Sequence, residues 1–398
     1  MLVYGAHFAE DLYEAERFGW DIEGAKFNWQ RLRDIVQDDV DRLEGLYGQT
    51  LGNNNVEIFK DRAVLTGPNE VQLASGKTVT AKYILVATGG WPASAGCDGE
   101  EHALTSNEIF HLEEKPDSIV IIGGGYIANE FAGIFHAFGS DVTVANRSEK
   151  ILRSYDQEIV GKLQEMGEAK GVKYRLNAPL DRIEKNADGG VTVHFKDGGP
   201  PQTADVVMVA TGRVPKSNDL GLEALGAELD KSGAIVVGDD NKSSVNSIYA
   251  VGDVTNRVQL TPVAIREGHA FADSVFSGNP RTISYDNIPS AVFSSPPIAA
   301  VGLTEDEARA EYGADVKVYR SDFRPMKNVV SGREERGLYK MITAGPKETV
   351  VGLHMIGPDS SEILQAAAVA VVAKLPKQAF DDTVALHPSM SEELVLLK

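Results

Sequence analysis

A short apolar run that breaks into three consecutive glycines constrains this chain more than any other feature. Ser118 to Ile122 reads as a β-rich strand, Gly123 and Gly125 permit a tight turn with close backbone approach, and Tyr126 to Phe138 has helical spacing. A strand that turns through glycines into a helix leaves the first helical amides free to hold a pyrophosphate, so the segment predicts a dinucleotide-binding unit. The next strand, Asp141 to Ala145, ends where an NAD site places a carboxylate on the ribose hydroxyls. Here the chain has Asn146 and Arg147, with Arg153 beyond. Guanidiniums fork onto phosphate oxygens, so Arg147 and Arg153 point to a 2′-phosphate and to NADPH.

Composition narrows the class. A length of 398 residues fits two to four domains. The net charge of −19 argues against a nucleic-acid partner, which needs a basic face. No apolar run approaches the ~20 residues of a membrane span, so no membrane partner is expected. Glu10, Asp11, Glu14 and Glu16 lie near the start, where no basic-then-apolar signal occurs, and the expected location is cytoplasmic. One cysteine, Cys97, excludes an internal disulfide framework and a Cys-x-x-Cys metal site, and no metal is expected. Met1 to Phe18 has helical character with no N-cap residue before it, as if the chain began inside a helix.

Along the chain, residues 1–60 read as mainly helical. Asp61 to Leu73 and Lys77 to Ala87 read as strands about a Ser75-Gly76 turn, and the second ends in Ala87-Thr88-Gly89. A second Ala-Thr-Gly, Ala210 to Gly212, closes the dinucleotide unit and precedes Arg213. The repeat suggests two related nucleotide-binding units. Residues 288–398 are β-rich up to a long Ala/Val helix, Glu362 to Lys374, whose apolar surface exceeds one amphipathic face and implies a further layer or a partner subunit.

Two further constellations carry chemistry. Ile248 to Val254 is a strand running into Gly252-Asp253, and Thr261-Pro262 opens a helix to about Phe276. A carboxylate there can bind ribityl or ribose hydroxyls, and the helix start offers free amides. His387-Pro388-Ser389-Met390-Ser391-Glu392-Glu393 places glutamates in a turn after a histidine, so one can reach back and fix its tautomer for proton transfer.

Together, Gly-Gly-Gly-Tyr-Ile-Ala-Asn-Glu, the two Ala-Thr-Gly ends, Tyr-Ala-Val-Gly-Asp, Leu-Thr-Pro-Val-Ala and His-Pro-Ser-Met-Ser-Glu-Glu resemble the pyridine nucleotide–disulfide oxidoreductases over essentially the whole chain. The resemblance implies an α/β fold with two Rossmann-like nucleotide-binding units, the FAD one incomplete, plus a C-terminal α+β dimerisation domain. The implied boundaries are 1–114 and 239–287 for FAD, 115–238 for NADPH and 288–398 for the interface. It implies that Asp253, Thr261, Thr88 and Gly89 contact FAD, with the backbone near Ala63 close to the adenine. Tyr126 would cover the flavin until NADPH displaces it. Ile127 and Glu130 would be cofactor-binding, with Glu130 near the nicotinamide, and Gly212 and Arg213 would help position the cofactor. His387, oriented by Glu392, would donate a proton to the leaving thiolate in a homodimer partner's active site. Tyr47 would border the disulfide substrate, oxidised glutathione.

The chain departs from the family pattern in one respect. The family's FAD-pyrophosphate turn, its helix with two redox cysteines and the lysine that pairs with Glu130 have no counterpart here, and the match begins just after that helix. The resemblance therefore implies a reductase sequence truncated at its start and inactive as written. Two rivals remain: related disulfide chemistry of the trypanothione, mercuric or dihydrolipoamide type, and a non-catalytic NADPH-binding dimeric remnant. Arg147 and Arg153 disfavour the NAD-linked dihydrolipoamide type, and Arg266 with His269 favours an anionic substrate.

Overall fold

The computed structural model describes residues 1–398, which form two compact units of mixed α/β structure. The first comprises Met1–Asp38, Ser94–Thr211 and Asp286–Lys398; the second comprises Asp39–Ala93 and Gly212–Tyr285.

At the centre of the first unit lies a four-stranded parallel sheet in the order Val206–Val209, Ser118–Ile122, Asp141–Ala145, Lys173–Arg175. Three of its strands, all but Lys173–Arg175, are rich in β-branched residues because both faces are covered. One face packs on helix Tyr126–Ala137, which buries Ala128, Phe131, Ala132 and Phe135 together with Leu2, Ala6 and Trp29 from the start of the chain. A three-stranded antiparallel meander, Leu180–Lys185, Val191–Phe195 and Gln202–Ala204, covers the other face through Ile183, Val193 and Phe195. The rest of this unit is a five-stranded antiparallel sheet in the order 290–292, 298–302, 349–356, 337–344, 316–323. Helix Ser360–Val372 packs on that sheet through Leu364, Ala367, Ala368 and Val371. Its opposite side leaves Val369 and Val372 67% and 57% exposed, so the surplus apolar surface read from the sequence is real.

The second unit is built from short pieces. Ala63–Gly67, Glu70–Leu73 and Thr78–Thr80 form an antiparallel sheet, so the run expected to be one strand over 61–73 is a hairpin folded at Pro68-Asn69. Ile84–Val86 lies parallel to Ile248–Ala250, which brings the ends of both strands to one edge. Helix Thr261–Phe276 follows, with its expected limits. Residues 212–238, assigned from the sequence to the NADPH unit, fall in this second unit. The first helix spans Leu2–Glu14, and Met1 at its N-cap makes no side-chain capping bond.

Candidate active site

The glycine turn in the first unit is built as an anion cradle. Gly123 has φ +133°, and a Cβ there would lie 2.2 Å from the carbonyl oxygen of Ala210, so only glycine allows the turn to pass the neighbouring strand end. A Cβ on Gly124 would meet the Asn146 side chain at 2.8 Å, whereas one on Gly125 would meet nothing within 4 Å. The open side of the turn is therefore at Gly125, the N-cap of helix Tyr126–Ala137, which no side chain caps. The amides of a helix's first turn have no helical acceptors and carry the positive end of the helix dipole. Asn129, buried in the second turn, donates to the carbonyls of Gly124 at 3.3 Å and Gly125 at 2.8 Å, which fixes the turn from beneath.

The two arginines stand on one loop at the end of the second strand. Asn146 is buried and its amide donates to Ser148 O at 3.0 Å and Lys150 O at 2.9 Å. The Leu152 amide then donates to Gly124 O at 2.7 Å, tying the loop to the glycine turn. Arg147 and Arg153 are exposed, and neither takes part in an ion pair. Two uncompensated guanidiniums beside an uncapped helix start fit a dinucleotide carrying an extra phosphate. The bracing role of Asn146 was missed in the sequence, where it reads only as the absence of an acid.

Glu130, one turn further along the helix, accepts the amide of Phe293 at 2.9 Å. Burial outweighs that bond and pushes its carboxyl above the ordinary range. Tyr126 is partly exposed at the head of the helix.

In the second unit the parallel strand ends gather a different set of groups. Thr88 donates to Lys216 O at 2.7 Å, and Gly89 O accepts the Lys216 amide at 2.8 Å. Arg213 donates to Gly90 O at 2.9 Å, and its Nε lies 3.9 Å from Asp253. Arg213 thus sits with Gly90 and Asp253 in the second unit, and the Gly212 carbonyl accepts the Ala93 amide at 2.9 Å. Asp253 follows Gly252, whose amide is held by the buried carboxylate of Glu267 at 2.6 Å. Thr261 opens its helix without a side-chain cap. Asp253, Thr88 and the Thr261 amides fit the hydroxyl-bearing and carbonyl ends of a flavin nucleotide. Ala63 lies in the first strand of the antiparallel sheet, and Tyr47 is 73% exposed on helix Trp29–Asn53.

Near the C-terminus, the 3-10 turn Met390–Leu394 returns Glu392 to His387, with Nδ1 to Oε2 at 3.0 Å. The imidazole is 78% exposed while Glu392 is 14% exposed, so the ring is anchored at one nitrogen and presented at the other. Cys97 is partly buried, and burial with the charges of Glu100 and Asp98 pushes its thiol up, so it is a poor nucleophile.

Comparison with known proteins decides the family. The pyridine nucleotide-disulphide oxidoreductase model matches residues 7–268, and the dimerisation domain of the same family matches residues 288–397. This chain belongs to the pyridine nucleotide-disulphide oxidoreductases. FAD and NADPH are the cofactors of this family of flavin-dependent disulfide reductases. Glutathione reductase from Burkholderia cepacia is 42% identical over 398 residues, covering 100% of this chain and 88% of its own. Trypanothione reductase from Trypanosoma congolense is 36% identical, covering 100% of this chain and 84% of its own. Among solved structures, the HOCl-induced flavoprotein disulfide reductase RclA from Escherichia coli aligns with TM-score 0.89 and 26% identity, covering 100% of this chain and 87% of that one. No helix is long and apolar enough to cross a membrane.

Proposed function

We propose that the chain is a glutathione-disulfide reductase sequence, acting on NADPH and oxidised glutathione as a cytoplasmic two-fold homodimer. The observation that carries this reading is the His387–Glu392 pair, a carboxylate-anchored imidazole whose free nitrogen faces outward, in the segment that matches the dimerisation domain. A histidine held this way can give a proton to a leaving thiolate. Arg147 and Arg153 hold the 2′-phosphate, the amides at Gly125 hold the pyrophosphate, and Asp253, Thr88 and Thr261 orient the flavin nucleotide. Bound together, NADPH and FAD supply a hydride and a two-electron relay to a disulfide. The greater similarity to glutathione reductase than to trypanothione reductase supports the tripeptide substrate. The exposed Arg266 and His269 suit an anionic one.

Disulfide reduction also needs a cysteine pair, and residues 1–398 contain Cys97 alone. The 398-residue polypeptide is therefore expected to bind NADPH without reducing oxidised glutathione. A version extended by the family's cysteine-bearing segment is expected to turn over. The loss of NADPH absorbance with oxidised glutathione, followed for both polypeptides, tests this. Turnover by the 398-residue chain, or preference of the extended one for another disulfide, contradicts it.

A further inference from the structure

We infer that Lys340, a buried lysine in the strand Gly337–Ala344, is a positioning residue for NADPH selectivity because it anchors the loop that carries Arg153. The inference rests on the reading that Arg153 holds the 2′-phosphate. Lys340 and Asp156 are each almost fully buried, and Lys340 Nζ donates to both oxygens of Asp156, at 3.0 and 2.9 Å. Asp156 is the N-cap of helix Gln157–Lys170, accepting the amide of Glu158 at 3.1 Å, and it also accepts the amide of Glu305 at 3.2 Å. It stands three residues beyond Arg153.

The segment between them leaves little freedom. Leu152 has φ +43°, its amide is held by Gly124, and its carbonyl accepts the Tyr155 amide at 2.9 Å. Gln157 donates to Tyr155 O at 2.9 Å, and the Tyr155 hydroxyl bonds Ser290 at 3.2 Å. Arg153 is thus carried on a short span pinned at one end to the glycine turn and at the other to Asp156.

Lys340 is more than a single partner. Its ammonium also lies 2.8 Å from both Glu158 and Glu305, and Arg320 and Arg309 close the cluster on these carboxylates. Three cations thereby balance three carboxylates. Burial alone would push the Asp156 carboxyl up, yet the bonds and charge of Lys340 hold it below the ordinary range. A buried ion held on all sides costs a great deal to leave unpaired, so Asp156 stays where Lys340 is.

The test uses the 398-residue chain, with dissociation constants for NADPH and NADH from titration calorimetry and a thermal melt for each variant. Lys340→Met is expected to raise the NADPH constant roughly tenfold and leave that for NADH unchanged. Lys340→Arg is expected to restore it. In an Arg153→Ala background, Lys340→Met should add no further loss. If Lys340→Met does not fold, Asp156→Ser keeps a helix cap while removing the anchor, and the same selective loss is expected. Equal shifts for both nucleotides, no shift, or additive losses in the double variant overturn the inference. An Arg153→Ala variant with unchanged NADPH affinity instead removes the phosphate reading itself, and the inference falls with it.

Discussion

The two candidate nucleotide sites are built on opposite principles of compensation. In the first unit, Arg147 and Arg153 stand without a counter-charge beside an uncapped helix start, on a loop that Asn146 and Asp156 hold rigid. In the second, Arg213 is already engaged by Gly90 and Asp253, and Gly252 by Glu267. An unmet positive field over a rigid frame selects a strongly anionic ligand, which under the proposed function is the phosphate-rich end of NADPH. A site whose charges are internally satisfied presents a carboxylate and free amides, which suit hydroxyls and carbonyls. The difference teaches that specificity in the first site lies in what is left unpaired, and in the second in what is already paired and held in place.

Gly123→Ala strikes the first frame hardest. The added carbon would meet the Ala210 carbonyl at 2.2 Å in a backbone conformation hostile to alanine. NADPH affinity is expected to fall more than roughly hundredfold, since strain of ~3 kcal/mol must be relieved by moving the turn. Flavin content of the extended polypeptide should not change. Calorimetry and flavin absorbance check the pair, and flavin loss of equal size would break the comparison.

Glu10→Gln probes the frame from its far side. Burial pushes the Glu10 carboxyl up, but Lys170 at 3.0 Å, Ser295 at 2.8 Å and Arg333 bring it down from 4.5 to about 2. A carboxylate depressed on folding contributes stability that is fully present above its unfolded value near 4.5 and is lost as pH falls towards 2. The shift corresponds to about 3 kcal/mol at neutral pH, so the variant should be destabilised by up to that amount at pH 7 and by roughly half or less at pH 3, the remainder vanishing below pH 2. Urea unfolding at pH 7 and pH 3 checks it; an equal deficit at both values would contradict it.

Asp253→Asn sharpens the second site with the smallest effect. One charge-assisted hydrogen bond is worth about 1.5–3 kcal/mol, so flavin retention by the extended polypeptide should weaken roughly tenfold or more, with NADPH affinity unchanged. Equilibrium dialysis of the flavin measures this.

Much of this was legible in the sequence because it is local. Strands Ser118–Ile122 and Asp141–Ala145, the glycine turn and helix Thr261–Phe276 announce themselves within a dozen residues, through apolar runs, glycines and the proline at the helix start. Strand Ile298–Gly302 does not, because Ile-Ala-Ala-Val-Gly is small and buried almost throughout, with no alternation to mark it. The break at Pro68-Asn69 was read through because the residues on both sides are strand formers. Asp156 carries an N-cap signal before its helix, but Lys340 lies 184 residues away, and nothing local names it as the partner. Likewise, Arg213 reads as a neighbour of the glycine turn along the chain, while the strand Arg213–Pro215 pairs with Gly90–Pro92 and takes it to Asp253.

The central claim is that unpaired arginines beside the glycine turn make this a 2′-phosphate site. Titration calorimetry of NADPH and NADH against the 398-residue chain and its Arg147→Glu/Arg153→Pro variant tests it most directly. Each guanidinium–phosphate contact is worth roughly 1.5–3 kcal/mol, so the parent chain should prefer NADPH by at least about a hundredfold and the variant should lose or reverse that preference. An unchanged NADPH/NADH affinity ratio would contradict the account.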